Sequence, residues 1–315
     1  VPKPILLVKS GGEEAVPEWR RHFAEFAPDL EVRWWDDEAV DRNSVRYVLV
    51  WDPEPGRLSA LPNLDVVFGS GAGVDFITAD PALPKHLPIA RMTTDGAAQR
   101  MGEFVCWAAL SLLKDARRIT ANQVARKWEY FEPERTAPGT TIGIMGLGHM
   151  GGRAAAMLRG LGFRVIGWSR TPKRIEGVES LAGEDARDAF LGRAEILVCL
   201  LPATPETRGI LAAPLLDRLP RGAGLINVGR GSQQRIGDIL AALDGGRLSG
   251  AVLDVFEEEP LPRDHPAWAH PRLLVTPHLA SLPPRRERAE YVAKLIAMHR
   301  RGEALPNLYD HARGY

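Results

Sequence analysis

The sequence is short of several things, and each scarcity narrows the field. Only two cysteines occur in 315 residues, Cys106 and Cys199. Both lie in apolar stretches, EFVCWAAL and EILVCLLP, which reads as two buried thiols in a reducing compartment rather than a disulfide framework. There is no C-x-x-C, and the histidines show no metal-ligand spacing, so no metal is expected. Net charge is also lacking. Forty basic residues balance forty acidic ones, which argues against nucleic acid or an anionic membrane as partner. No apolar run is long enough to span a bilayer. Val1-Pro2-Lys3 leads directly into a strand-like run with no secretory h-region, so a cytoplasmic protein is expected.

What is present is alternation. ILLV (5–8), EVRWW (31–35), RYVLVW (46–51) and DVVFGS (65–70) read as strands. Val16, Trp19, His22 or Phe23, and Phe26 recur at helical spacing between the first two. That βαβ rhythm predicts a mostly parallel sheet with helices on its faces. A long helical stretch follows over about 97–121. A second series then begins near residue 140, with strands at 164–168, 195–201, 224–229, 250–256 and 272–278 and a helix at 236–246. The late start of this series assigns the first sheet to a separate domain. The last helix, 285–302, carries Val292, Leu295 and Ile296 on one face and ends at Gly302. No strand follows it, so it can pack on either domain.

IGIMGLGHMGGRAAAML sets Gly146, Gly148 and Gly151 in G-x-G-x-x-G register between an apolar strand and an Ala-rich helix. The first glycine permits the tight turn, the second lets backbone approach a pyrophosphate, and the third lets helix and strand pack closely. The helix N-terminus offers N–H groups and its positive dipole end to phosphate. A dinucleotide site of this kind usually has an acidic residue about 20 positions on, to bind the ribose 2′-OH. Here the chain reads Ser169, Arg170, Thr171, Pro172, Lys173, Arg174. A guanidinium grips a 2′-phosphate where a carboxylate would repel it. NADPH is therefore expected over NADH.

Three more stretches bring polar groups to strand ends. INVGRG carries Arg230, LDVFEEEPLP carries Asp254 and Glu259, and LLVTPH carries His278. Carboxyl ends of strands line the ligand crevice of a doubly wound sheet, so these groups share an edge with the phosphate loop.

The order GLGHMG, LLPATPETRGIL, INVGRG, LDVFEEEPLP, TPH resembles the D-isomer-specific 2-hydroxyacid dehydrogenase family. Within it, the chain is most similar to the bacterial glyoxylate/hydroxypyruvate reductases that prefer NADPH. GSGAGVD (69–75), WSRT (168–171), AEYVAKLIA (289–297) and ARGY (312–315) extend the likeness over essentially the full length. The resemblance implies an α/β fold of two doubly wound parallel-sheet domains. A flavodoxin-like substrate domain would take residues 1–97 and 284–315, and a Rossmann NADP-binding domain residues 98–283. Closure about hinges near 97–102 and 281–285 would exclude water.

The implied chemistry is NADPH-dependent reduction of small 2-keto acids, glyoxylate to glycolate and hydroxypyruvate to D-glycerate. Arg230 would bind the substrate carboxylate and polarise the carbonyl, and His278 would donate the proton. Glu259, the acid that stands directly before proline, would favour the charged imidazole. Asp254 would hold the nicotinamide carboxamide. Leu147, His149 and Met150 complete the phosphate loop. Leu201 and Pro202 would flank the adenosine side, and Val228 the nicotinamide. Trp51, Ala72, Gly73 and Ser281 are implied on the substrate side, with Ala72 and Gly73 N–H groups cradling the carboxylate. Trp51, Met101 and Tyr315 are candidates to narrow the pocket.

Two alternatives stay open. One is a reductase of a bulkier 2-keto acid such as phenylpyruvate. The other is a non-catalytic, dinucleotide-responsive binding protein of the same fold. The absence of a regulatory extension after residue 315 argues against the phosphoglycerate dehydrogenase type. ANQVARKWEYFEPERTAPG (121–139) suits the arm through which the family dimerises, so a homodimer is expected.

Overall fold

Short apolar runs separated by amphipathic stretches bury themselves best as parallel strands covered by helices. The computed structural model of the chain has that form. It describes residues 3–133 and 135–314, so Tyr315, a candidate for narrowing the pocket, lies outside the described residues. The chain divides into two compact units, Val1–Asp95 with Pro283–Tyr315, and Gly96–Leu282.

The first unit begins with β1 (Ile5–Lys9), α1 (Val16–Phe26), β2 (Glu31–Trp34), β3 (Val45–Val50), β4 (Val66–Gly69), α2 (Asp75–Thr78) and β5 (Ile89–Ala90). The strands pair in parallel in the order β2-β1-β3-β4-β5, a flavodoxin-like winding. Pro17 stands in the first turn of α1, where its missing N–H costs nothing. Val16, Trp19 and Phe23 are its buried stripe.

The second unit follows with α3 (Asp95–Leu113), α4 (Ala116–Val124), β6 (Thr141–Met145), α5 (His149–Gly160), β7 (Arg164–Ser169), β8 (Glu179–Ala182), α6 (Arg187–Leu191), β9 (Ile196–Cys199), α7 (Ala213–Leu216), β10 (Ala223–Asn227), α8 (Ile236–Asp244), β11 (Leu248–Leu253) and β12 (Leu273–Val275). Its sheet runs β12-β11-β10-β9-β6-β7-β8, the Rossmann order, with β6 beside the central β9. Helices cover both faces of this sheet, so β6 is apolar after Thr141, with Ile142, Ile144 and Met145 wholly buried.

The single helix expected over 97–121 is two. Asp115 adopts a left-handed conformation (φ 51°) and its carboxylate accepts the Arg118 N–H at 3.4 Å, so the helix stops and restarts there. Strand β8 has no apolar alternation in its sequence, ESLA, to announce it; it adds to the sheet edge beside β7.

After β12 comes α9 (Arg285–Arg300), which joins the first unit. Val292, Leu295 and Ile296 pack in one core with Trp19 and Phe23 of α1. Gly302 takes φ 70° just past the helix end, the left-handed position that glycine fills without strain. Among the described residues no helix is long and apolar enough to cross a membrane, and no group of three His, Cys, Asp or Glu could hold a metal ion.

Candidate active site

The phosphate loop joins β6 to α5. Gly146 takes φ 102°, and a Cβ there would lie 2.5 Å from the Leu200 carbonyl oxygen. At Gly151 a Cβ would come within 1.9 Å of the Gly146 carbonyl oxygen, so helix and strand approach this closely only without a side chain. Gly148 faces open space and is the N-cap of α5, with no side chain capping the helix. His149 is exposed and Met150 partly buried, whereas Leu147 is turned into the core. An uncapped helix start beside an open glycine fits a dinucleotide pyrophosphate.

The basic turn follows β7. Arg170, Thr171, Lys173 and Arg174 are exposed, as a grip on a phosphate requires. Ser169 is buried, and its hydroxyl donates to the Thr171 carbonyl at 2.7 Å, so it shapes the turn from within. Opposite charge stands near. The Glu206 carboxyl is held below its ordinary value chiefly by the Thr204 hydroxyl, and the charge of Arg170 adds to this. The ETR context of Glu206 carries no signal of its own in the sequence.

The ends of β10, β11 and β12 are neighbours and deliver Arg230, Asp254 and His278 to one edge. His278 Nδ1 is 2.7 Å from Glu259 Oε2, and each side chain is about a quarter exposed (26% and 27%). The other Glu259 oxygen accepts the Phe256 N–H at 2.8 Å. Burial pushes the Glu259 carboxyl up. The His278 hydrogen bond, the Phe256 N–H, and the charges of His278 and Arg230 outweigh it, and the group is held below the ordinary carboxylate value. Glu257 is exposed and pairs instead with Arg208 at 3.2 Å. Arg230 donates its Nη1 to the Gly229 carbonyl at 2.8 Å.

Asp254 is only 1% exposed and is turned toward the histidine-bearing turn. Oδ1 accepts the Thr276 hydroxyl (2.6 Å) and the Leu279 N–H (3.0 Å), while Oδ2 accepts the Ala280 N–H (3.0 Å). Its backbone carbonyl accepts the His278 N–H at 2.8 Å. His278 sits within this tether at φ 52°. The structure thus gives Asp254 a structural duty at His278 that the sequence did not announce. Ser281 donates to the Ala97 carbonyl at 3.2 Å, which ties the end of the same segment to the start of α3.

Leu201 and Val228 are buried behind the edge and Pro202 is partly exposed upon it. Met101 is buried in the core of its unit beside Phe104 and Val105. Both thiols are buried; burial pushes Cys106 up to about 11 and Cys199 up to about 12. In the first unit, Trp51 follows β3, and its ring lies 5.6 Å from that of Phe76. Ala72 and Gly73 occupy the partly exposed turn between β4 and α2.

A dinucleotide cradle and a carboxylate-backed histidine on one sheet edge are the equipment of a dehydrogenase. Residues 106–280 match the D-isomer-specific 2-hydroxyacid dehydrogenase NAD-binding domain. The chain belongs to this family. It is 38% identical over 304 residues to the glyoxylate/hydroxypyruvate reductase A of Salmonella paratyphi B, covering 94% of this chain and 96% of that one. A D-isomer-specific 2-hydroxyacid dehydrogenase of Xanthobacter autotrophicus, solved with NADPH and MES, superposes with a TM-score of 0.91 at 39% identity over all of both chains. The NADPH-dependent glyoxylate/hydroxypyruvate reductase of Sinorhizobium meliloti, solved with NADP and sulfate, gives 0.90 at 38% identity over 99% of this chain and 100% of that one.

Proposed function

We propose that this protein reduces glyoxylate and hydroxypyruvate with NADPH. The observation that carries the reading is the His278–Glu259 pair at 2.7 Å, set on the sheet edge that also bears Arg230 and an uncapped phosphate loop. The unit with the Rossmann order takes the dinucleotide. Gly146 to Gly151 hold its pyrophosphate, Arg170 and Lys173 grip the 2′-phosphate, and Ser169 and Thr171 shape that turn. Leu201 and Pro202 flank the adenosine, and Val228 lies along the nicotinamide. When bound, the reduced nicotinamide supplies the hydride.

The chain's own residues supply the rest. Arg230 pairs with the substrate carboxylate and draws electron density from the carbonyl oxygen. Glu259 pairs with Nδ1 of His278, and the proton given to the oxygen as it gains charge is the one on Nε2. Glu259 stays ionised and stabilises the imidazolium before transfer. The Asp254 carboxylate already takes three hydrogen bonds, so one acceptor position on Oδ2 is what it has left for the nicotinamide carboxamide. Trp51, Ala72 and Gly73, in the first unit, are substrate contacts only by the family resemblance.

A homodimer completes the reading. Val124 (81% exposed), Trp128 (88%) and Tyr130 (88%) are large apolar side chains left in water on α4 and the segment after it, as expected of a surface that meets a second copy.

The test is loss of reduced-nicotinamide absorbance at neutral pH with glyoxylate, hydroxypyruvate and phenylpyruvate, using NADPH and NADH side by side. Turnover of the two small acids with NADPH is expected. Turnover of phenylpyruvate alone would replace the substrate, and tight NADPH binding without any turnover would replace catalysis by a binding role.

A further inference from the structure

Gln233 is a polar side chain with no exposure at all, at the end of a single 3-10 turn, Gly231–Gln233, that follows Arg230. Its amide nitrogen donates to the carbonyls of Leu201 (2.9 Å) and Pro202 (3.0 Å). Its amide oxygen accepts the Arg230 N–H at 2.8 Å and lies 3.5 Å from Cys199 Sγ. Burial keeps that thiol protonated, so it is a donor too. Every donor and acceptor of the amide is used, and its orientation is thereby determined. A carboxylate at this position would face two carbonyl oxygens.

The partners are not a random set. Leu201 and Pro202 follow β9 on the dinucleotide side of the edge, and Arg230 follows β10. One buried amide therefore links the segment assigned to the cofactor with the backbone of the residue assigned to the substrate. A second amide pair completes the hold. Asn227 Nδ2 donates to the Arg230 carbonyl (3.2 Å) and to Gln234 Oε1 (2.9 Å), and Gln234 Nε2 donates to the Val255 carbonyl (2.9 Å). The N–H and the C=O of Arg230 are both held by buried side chains. Nothing in a Rossmann sheet as such demands this, because strand ends are satisfied equally well by backbone turns.

We propose that Gln233 is a positioning residue that keeps Arg230 in register with the dinucleotide, so that the carboxylate of a small acid is held where hydride can reach its neighbouring carbon. The inference rests on the function proposed above. A glyoxylate-sized substrate offers few atoms to grip, so the placement of one guanidinium decides how often it is aligned. Misplacement by about 1 Å can cost roughly a hundredfold in rate.

A double-mutant cycle tests it. Gln233→Met, Arg230→Lys and the double variant are compared by kcat and KM for glyoxylate, by NADPH affinity, and by oxalate binding to the NADPH complex. Gln233→His, which keeps one donor and one acceptor, is the second probe should the methionine variant fold poorly. Alone, Gln233→Met is expected to lower kcat/KM by roughly ten- to a hundredfold, with the histidine variant recovering part of the loss. In the Arg230→Lys background the same change is expected to cost less than about twofold, because the group being positioned is already altered. Losses that multiply in the double variant would overturn the proposal, as would an unchanged kcat/KM in either single variant. A parent enzyme that neither turns over glyoxylate nor binds oxalate would overturn the functional reading and this inference with it. If the parent does either, the cycle judges Gln233 alone.

Discussion

Replacing Asp254 by asparagine removes one charge and almost no volume, yet it should loosen the turn that carries His278. The carboxylate accepts from the Thr276 hydroxyl, the Leu279 N–H and the Ala280 N–H at 2.6, 3.0 and 3.0 Å. An asparagine oxygen can keep the first two, but the amide nitrogen then faces the Ala280 N–H, donor against donor. Ala280 is 3% exposed, so water does not relieve it. The orphaned donor costs about 1–3 kcal/mol, and the two surviving bonds lose charge assistance at about 1 kcal/mol together. The local sum is ~2–4 kcal/mol, or roughly 30- to 700-fold in an opening equilibrium at 1.4 kcal/mol per decade. Amide hydrogen exchange reads this directly, and the Leu279 and Ala280 N–H groups should lose protection by that factor. In parallel, kcat should fall by about two decades as His278 loses its fixed place. NADPH affinity should change far less. Unaltered protection at both amides together with an unaltered kcat would refute the reasoning. A large loss of NADPH affinity with intact protection would instead make Asp254 primarily a contact for the nicotinamide.

Other expectations are independent of that one. Arg170→Ala should weaken NADPH while leaving NADH nearly unchanged. The ratio of their kcat/KM values should narrow by roughly 10- to 100-fold, as for a lost charge-assisted bond of about 1.5–3 kcal/mol. For Glu54, burial pushes its carboxyl up, but the Lys9 ammonium and the Trp35 indole N–H (2.7 Å) hold it down to about 2. A lowered value means that the stabilisation is complete above the ordinary carboxylate range near 4.3 and disappears as pH falls toward 2. Glu54→Gln should therefore lower the Tm of the first unit at pH 7, and the gap to the parent should narrow below about pH 4 and close only as pH reaches about 2. Trp128→Asp with Tyr130→Asp should reduce self-association in sedimentation while leaving the circular dichroism spectrum unchanged, because neither side chain is buried within the chain.

Much of this architecture is legible from the residues because local pattern and tertiary role coincide. Ile142 to Gly151 is one continuous statement of strand, turn and helix, and Gly151 is required by the Gly146 carbonyl of the same loop. The strand at 5–8 is a continuous apolar run, and that at 224–229 is interrupted only by the buried Asn227, because both faces of a parallel sheet are covered. Where role and pattern separate, the sequence is silent. Asp115 breaks a helix that has no glycine or proline at the break, because an aspartate can take a left-handed backbone and cap the next segment. ESLA becomes a strand only because β7 offers it an edge. Gln233 and Gln234 look like surface residues between two arginines, and their burial follows from carbonyls at 201, 202 and 255 that no local reading connects to them. The 19-residue gap between Glu259 and His278 is likewise closed only by the neighbouring ends of β11 and β12.

The chain leaves its first unit at Asp95 and returns at Pro283, and α9 then packs on α1 with Arg285 reaching Glu18 at 2.6 Å across 267 residues. During synthesis the order of completion is therefore the reverse of the order of appearance. The Rossmann sheet, whose segments are contiguous, has all its strands once residue 282 has been made. The older sheet waits with Trp19 and Phe23 uncovered until the final helix emerges. A ribosome stalled or a message truncated before the codons of α9 would yield a finished cofactor unit joined to an open hydrophobic face, the kind of species that chaperones and proteases capture first.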